Sequence, residues 1–210
     1  MEIHAPDHPI TGWKDTAKHL AIVTVGVFIA LALEGMVSWA DHRLLVREAT
    51  ANVIAELRTN AMELDSLFAG LKEEEAQLDH ADEVADLLLA HKPLDRLTMT
   101  LNSHDAELKN AAVTTGQITG AFGYMEYSEV RRFADVYDLQ AQFMRLQERE
   151  VQHFSDVLAF VRHIEEPVAP NAEALERWKS QIDVALAGLF LREQLGRQLQ
   201  KRYEELLSGE

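Results

Sequence analysis

The chain has 210 residues, of which 47% are apolar, with five prolines, ten glycines and no cysteine. This composition fits one globular domain with an additional segment and excludes a disordered chain. Without cysteine there is no disulfide, thiolate metal site or cysteine nucleophile. Residues 41–210 hold 18 Lys and Arg against 31 Asp and Glu, a formal net charge of −13. Because such a surface repels phosphates, we expect no nucleic-acid partner.

The first predicted element is a transmembrane helix over residues 18–40, preceded by a tail of residues 1–17. Leu20 to Leu33 reads LAIVTVGVFIALAL, without a charged residue. Leu20 to Trp39 would form a helix about 30 Å long, which matches the hydrocarbon core of a lipid bilayer. The length and composition therefore predict a single membrane-spanning helix.

The residues that flank this span favour a retained anchor. Trp13 and Trp39 bracket the span as interfacial aromatic residues do, and Lys18 and Arg43 can extend toward headgroups. A cleaved signal peptide is one alternative, but its small-x-small site, Ala30 to Ala32, would lie inside the apolar run. A buried core helix is the other alternative.

Glu34 interrupts the apolar run five residues before Trp39. A carboxyl group inside a membrane is costly and is a functional hypothesis by default. Three placements remain open: the membrane interface, where the carboxyl can protonate or pair with Arg43; a contact with a partner helix; and a proton relay. Lys and Arg are nearly balanced across the span, so the sequence specifies its orientation only weakly. We expect a bacterial inner (plasma) membrane protein with its C-terminal domain outside the cytoplasm.

Residues 41–210 are predicted to form an antiparallel bundle of three long helices and one short helix. Apolar residues recur at steps of three and four between residues 44 and 90, as on a coiled-coil or bundle face. Asn60 and Glu74 fall on this apolar face, where polar residues can set register and oligomeric state. Further helices are expected over residues 103–113, 129–165 and 171–207, with these candidate N-caps: Asn102 or Ser103, Ser128 and Asn171.

The stretch TTGQITGAFGYMEYS, residues 114–128, contains Gly116, Gly120 and Gly123. Their spacing fits neither a dinucleotide fingerprint nor a P-loop, so we predict a helix break with close packing. The break at Thr115 and Gly116 is the first candidate position for a specific contact surface.

No catalytic motif or cofactor-binding motif is present. Glu150 and His153 form one Glu-x-x-His unit, but a di-iron bundle needs two such units and further carboxylates. A second group of candidate metal ligands is His4, His8 and His19, near Glu2 and Asp7. We interpret this part of the sequence as a flexible tail in preference to a metal site. We therefore expect no metal, no cofactor and no enzymatic activity. The aromatic residues on the helix predicted over residues 129–165 are interpreted as core residues. The alternative is that they line a ligand cavity.

Two blocks of the sequence resemble a family of uncharacterised bacterial single-pass membrane proteins. Residues 22–43 and 51–67 are similar to its apolar span, the Trp and basic residue that follow, and a Glu-Leu-x-x-Asn motif, here Glu56 to Asn60. Residues 108–140 are similar to a second block that leads through Thr-Gly into a helix with Val-Tyr, here Val136-Tyr137. Relatives often carry an amide or Asn where this chain has Glu34.

The resemblance implies an N-terminal anchor and a C-terminal helical domain, but no activity. Our leading expectation is an interaction or scaffold subunit that contacts a protein partner or another copy of itself. Its candidate contact residues are Glu34, Trp39, Arg43, Asn60, Thr115 and Gly116. The alternatives are an extracytoplasmic bundle that senses a small ligand and signals through a partner, and a metal-dependent bundle enzyme.

Overall fold

A computed structural model of the chain describes residues 12–92, 99–164 and 170–209. No strand occurs in these three ranges, which confirms the predicted all-α class. The helices, in chain order, are α1 (Trp13–Leu89), α2 (Ala111–Ile118), a 3-10 turn (Ala121–Tyr124), α3 (Tyr127–Ile164) and α4 (Ala172–Leu207).

The contacts divide the chain into two units, Met1–Glu48 and Ala49–Glu210. In the first unit, every residue from 20 to 39 is exposed, although most of them are apolar. Helix α1 runs without a break through both units, as expected from the lack of proline and the single glycine between residues 44 and 90.

The core of the second unit is formed by the apolar faces of α1, α3 and α4. The face of α1 predicted from its periodicity is buried from Val53 to Ala85. Large apolar side chains without exposed surface include Leu57, Phe143, Trp178, Ile182 and Tyr203. A fully buried Leu or Phe contributes about 1.5–3 kcal/mol by leaving water, so this core is the main stabilising feature of the bundle.

Hydrogen bonds made by side chains show how the long helices run relative to one another. On α4, the indole of Trp178 donates to the carbonyl of Val157, and the Tyr203 hydroxyl donates to the side chain of Gln140. Helix α4 is therefore antiparallel to α3. Helix α3 is parallel to α1, because Asn60 also bonds to Gln140 while Thr50 of α1 bonds near the start of α3.

The return path from α1 to α3 differs from the prediction. The short helix expected over residues 103–113 is wrong, because residues 99–110 have no regular secondary structure and α2 begins only at Ala111. This segment runs antiparallel to α1, since the backbone of Asn102 bonds to Gln77 and that of Ala112 bonds to Glu56. One element of the bundle is thus an extended chain that leads into a short helix.

The predicted N-caps have different outcomes. Asn171 caps α4, because its Oδ1 accepts the backbone N–H of Ala174 at 2.8 Å. Ser128 does not cap α3, which already begins at Tyr127. Asn102 and Ser103 lie in the extended segment and cap no helix.

The glycine-rich stretch makes a tight turn against its own helix. Gly116 is buried inside α2, and a Cβ built on it would lie 2.6 Å from the Phe122 ring. The helix breaks later than predicted, at Thr119 and Gly120, where Gly120 has a left-handed φ of 74°. Glycine at that position avoids the strain that a side chain would meet.

We expect Gly116→Ala to lower the stability of the bundle. The added methyl group would displace the Phe122 ring, and overpacking of this kind costs about 1–3 kcal/mol, partly offset by the better helix propensity of alanine. Gly123→Ala is the matched control, because nothing lies within 4 Å of its Cβ position. Thermal unfolding in mild detergent, followed by circular dichroism, should show a lower Tm for the first variant alone. Equal Tm values would contradict the close packing of Gly116.

Candidate functional site

The first candidate contact residues lie on the exposed apolar part of α1. The Arg43 guanidinium lies 4.7 Å from the centroid of the Trp39 ring, a cation–π contact. Glu34 is exposed and makes no ion pair within the described residues. Trp39 and Arg43 are therefore brought together, whereas the pairing of Glu34 with Arg43, one of the alternatives considered, is not formed.

One helix in the described residues, α1, has a window that is long and apolar enough to cross a membrane. None of that window is buried against the rest of the chain. A soluble core helix would normally be mostly buried, so the exposure of the window argues against the core-helix alternative.

The buried polar residue Asn60 joins α1 to the extended segment. Its amide nitrogen donates to the backbone carbonyl of Lys109 at 2.8 Å, and its Oδ1 accepts the Lys109 N–H at 2.9 Å. The Gln140 amide donates to the same carbonyl, while its oxygen accepts bonds from Asn60 and from the hydroxyl of Tyr203. α1, α3, α4 and the extended segment therefore meet at one hydrogen-bonded junction.

Further side chains bind the extended segment along its length. Gln147 both accepts the N–H of Ala106 and donates to its carbonyl, each at 3.0 Å. Glu56 accepts the N–H of Ala112 at 2.9 Å and the Tyr137 hydroxyl at 2.6 Å. Burial and the Glu56 carboxylate raise the pKa of Tyr137, which keeps its hydroxyl a donor. We call the set Glu56, Asn60, Gln140 and Gln147 the segment clamp.

A buried ion pair joins α4 to α1 and to the extended segment. Arg192 is 1% exposed, and its guanidinium bonds to Glu74 at 2.7 Å and to Asp105 at 3.3 Å. Glu74 also accepts the backbone N–H of His104 at 3.2 Å. Burial raises the pKa of Glu74, and the positive charge of Arg192 opposes that rise.

These contacts place the two polar residues on the apolar face of α1 inside the chain. Asn60 and Glu74 are buried, and their polar atoms bind the segment and Arg192. Their presence on the apolar face is thus explained within a single chain. Asn60 does not contribute to the exposed surface, although it was a candidate contact residue.

The turn after α2 exposes apolar residues that sequence reasoning missed. Thr115 is exposed, and its carbonyl accepts both the N–H and the hydroxyl of Thr119. Beyond it, Ile118 is 80% exposed and Tyr127 is 82% exposed, and Tyr124 is exposed as well. We call Ile118, Tyr124 and Tyr127 the tip. The sequence does set Ile118 and Tyr124 apart, because residues 110–125 form its longest run without Asp, Glu, Lys or Arg.

A second exposed apolar surface lies along α3 and α4. Val184, Leu191 and Leu195 are spaced by seven and four residues, so they share one side of α4. Leu195 lines a groove of about 550 Å³ together with Arg145, Arg149 and Glu148 of α3. Neither arginine makes an ion pair or hydrogen bond within the described residues. We call the two arginines and the three apolar residues of α4 the α3/α4 face.

Two smaller grooves share Arg132 and Leu206. One has a volume of about 330 Å³ and is also lined by Asp135 and Arg202. The other has a volume of about 350 Å³ and is also lined by Thr50. Both volumes fall within the range of small-ligand sites, about 300–1,000 Å³.

The Glu-x-x-His unit of α3 does not assemble a metal centre with other described residues. Glu150 packs against Gly188 of α4, and no group of three or more His, Asp or Glu side chains that could hold a metal ion occurs in the described ranges. His4 and His8 lie outside these ranges, and His19 is exposed on α1.

No protein family, curated protein or solved structure matches the chain. The resemblance to uncharacterised single-pass membrane proteins therefore stays a prediction.

We expect Asn60→Ala to destabilise the bundle by about 1–3 kcal/mol, because Asn60 is fully buried and its loss removes the bonds to the Lys109 backbone and to Gln140. The matched control is Gln142→Ala, whose exposed amide bonds only to Asp138 in the same helix and should change stability by less than about 0.5 kcal/mol. Chemical denaturation in detergent measures both. A loss for Gln142→Ala as large as that for Asn60→Ala would contradict a special role of the segment clamp.

Arg192→Met should cost about 3–5 kcal/mol, because it leaves the buried Glu74 carboxylate unpaired. Adding Glu74→Gln should recover part of this loss, since the amide still accepts the His104 N–H without carrying a charge.

The loss caused by Arg192→Met should also depend on pH. The folded-state pKa of Glu74 lies above the ordinary value of 4.5, so folding favours its protonated form. That contribution is fully present below pH 4.5 and is lost as the pH rises through the raised folded-state pKa. Without Arg192 the pKa rises further, so the loss should shrink in acid. A loss independent of pH, with no recovery in the double variant, would rule out this pairing.

Proposed function

We propose that the protein is a membrane-anchored helical interaction or scaffold subunit of a membrane complex, without catalysis of its own. The observation that carries the proposal is the exposure of every residue from 20 to 39, since an apolar helix of this length needs lipid around it. The anchor would lie in a bacterial inner membrane, with the bundle on the extracytoplasmic side.

The α3/α4 face is the surface that best fits a protein partner. Val184 and Leu191 are exposed, and Leu195, on the same side of α4, lines the groove with Arg145 and Arg149 in a bundle that is strongly acidic in total. Interface cores are enriched in apolar residues and arginine and depleted in acidic residues. The chemistry fits an amphipathic helix with acidic flanks that lies in the groove. Glu34 would make a second contact, with a partner helix inside the membrane.

The test is purification of the full-length protein from its native membrane in mild detergent, with mass spectrometry of the proteins that accompany it. We expect a stoichiometric companion that Leu191→Glu removes and Met62→Glu retains. Both substitutions place a carboxylate at an exposed apolar position, but Met62 lies on α1, outside the α3/α4 face. Glu34→Gln tests the membrane contact in the same assay. Recovery of the protein alone, as a monomer, would count against the proposal.

A ligand-sensing bundle is the second candidate function, and the two grooves around Arg132 favour it. Their walls carry both cationic and acidic side chains, which suits a small zwitterionic ligand. A rise in Tm with such a ligand, lost in Arg132→Ala, would support sensing over scaffolding.

A further inference from the structure

We propose that the tip is a contact surface for the lipid headgroup layer of the bilayer that holds the N-terminal helix. The inference rests on the proposed membrane anchoring and adds a second, shallow lipid contact made by the bundle itself. The residues that make it are Ile118, Tyr124 and Tyr127.

The tip is strongly exposed to solvent. Ile118 and Tyr127 are the two most exposed large apolar residues among the described residues of the second unit. Large apolar side chains left in water are unfavourable, at about 25 cal/mol for each Å² that could be buried. Tyrosine is enriched at the membrane–water interface, where its ring meets the acyl boundary and its hydroxyl stays hydrated.

Two of the tip residues, Ile118 and Tyr124, lie in a stretch without charge. Residues 110–125 carry no charged side chain, although 26% of the chain is Asp, Glu, Lys or Arg; Tyr127 lies outside this stretch, between Glu126 and Glu129. The acidic surface elsewhere on the bundle repels anionic headgroups, whereas this stretch can approach them without such repulsion. The pattern fits a lipid contact driven by apolar area more than by electrostatic attraction.

The chain between the predicted membrane span and the second unit is short. Tyr127 lies between residues that line one groove with Thr50, and the Thr50 hydroxyl bonds to Glu129 at 3.3 Å. The tip is therefore at the end of the bundle where Ala49 lies. Only ten residues separate Trp39, the predicted interfacial residue, from Ala49. Even a fully extended chain of that length reaches no more than about 35 Å.

The backbone that carries the tip is closely packed. Gly116 packs directly under the Phe122 ring, and the Gly120 turn fixes the path between α2 and the 3-10 turn. The close packing of this turn holds the backbone that carries the exposed residues. A preformed surface loses little conformational entropy when it meets the bilayer.

The experiment uses the natural absence of cysteine, which makes single-site spin labelling of the full chain specific. Ile118→Cys and Tyr127→Cys are labelled separately with a nitroxide in phosphatidylcholine nanodiscs. Phe190→Cys on α4 is the matched control, because it is also an exposed apolar position. Val27→Cys reports on the anchor. The accessibility of each label to oxygen and to a water-soluble nickel complex gives its depth in the bilayer.

We expect the ratio of oxygen to nickel accessibility to be several-fold higher at 118 and 127 than at 190, and highest at 27. If the label at 27 is embedded but those at 118 and 127 match 190, the tip inference is overturned and the anchor stands. If the label at 27 is also as accessible to nickel as the control, the proposed anchoring fails first. Low accessibility to both reagents at 118 and 127 would indicate a protein contact instead of lipid, and would also overturn the inference.

Discussion

The bundle depends on one constraint: an extended segment packs against its helices with Ala106 and Leu108 buried, and no strand lies beside it within the described residues. A buried N–H or carbonyl group without a partner costs about as much free energy as a lost hydrogen bond, so side chains must supply the missing bonds. Asn60 and Gln147 each bond to both backbone groups of one segment residue, and Gln140 supports Asn60. These amides hold the segment, and with it the parallel arrangement of α1 and α3.

Periodicity predicted the long helices because each has a continuous apolar face, as from Val53 to Ala85 on α1. The short helix over residues 103–113 was wrongly predicted because local composition favours a helix there, while tertiary contacts favour an extended chain. Asn60 and Gln147 bind the backbone groups that a helix would have paired internally. Sequence reasoning noticed Asn60 on the apolar face and interpreted it as a device for register between chains. Its hydrogen-bond partner is the backbone of Lys109, and no feature of the sequence identifies that partner.

The candidate contact residues were predictable to different degrees. Trp39 and Arg43 follow from the length of the apolar span, and the structure places the guanidinium over the indole ring. Gly116 was predicted to allow close packing, and it does, but against Phe122 of its own turn. The tip was missed because exposed Ile118 and Tyr127 follow no helical period. The uncharged composition of residues 110–125 indicates Ile118 but not Tyr127, and composition alone does not show which side chains face outward.

The segment clamp also sets the position of the tip. Helix α2 has no side-chain cap of its own at Asn110, and Glu56 of α1 accepts the N–H of Ala112 in its first turn instead. A carboxylate at this end of a helix is also favoured by the helix dipole. The start of α2 is therefore fixed by α1, and its end by the packing of Gly116 under Phe122. Because α2 is only eight residues long and is held at both ends, we expect the loss of the Glu56 contact to shift Ile118 at the surface as well.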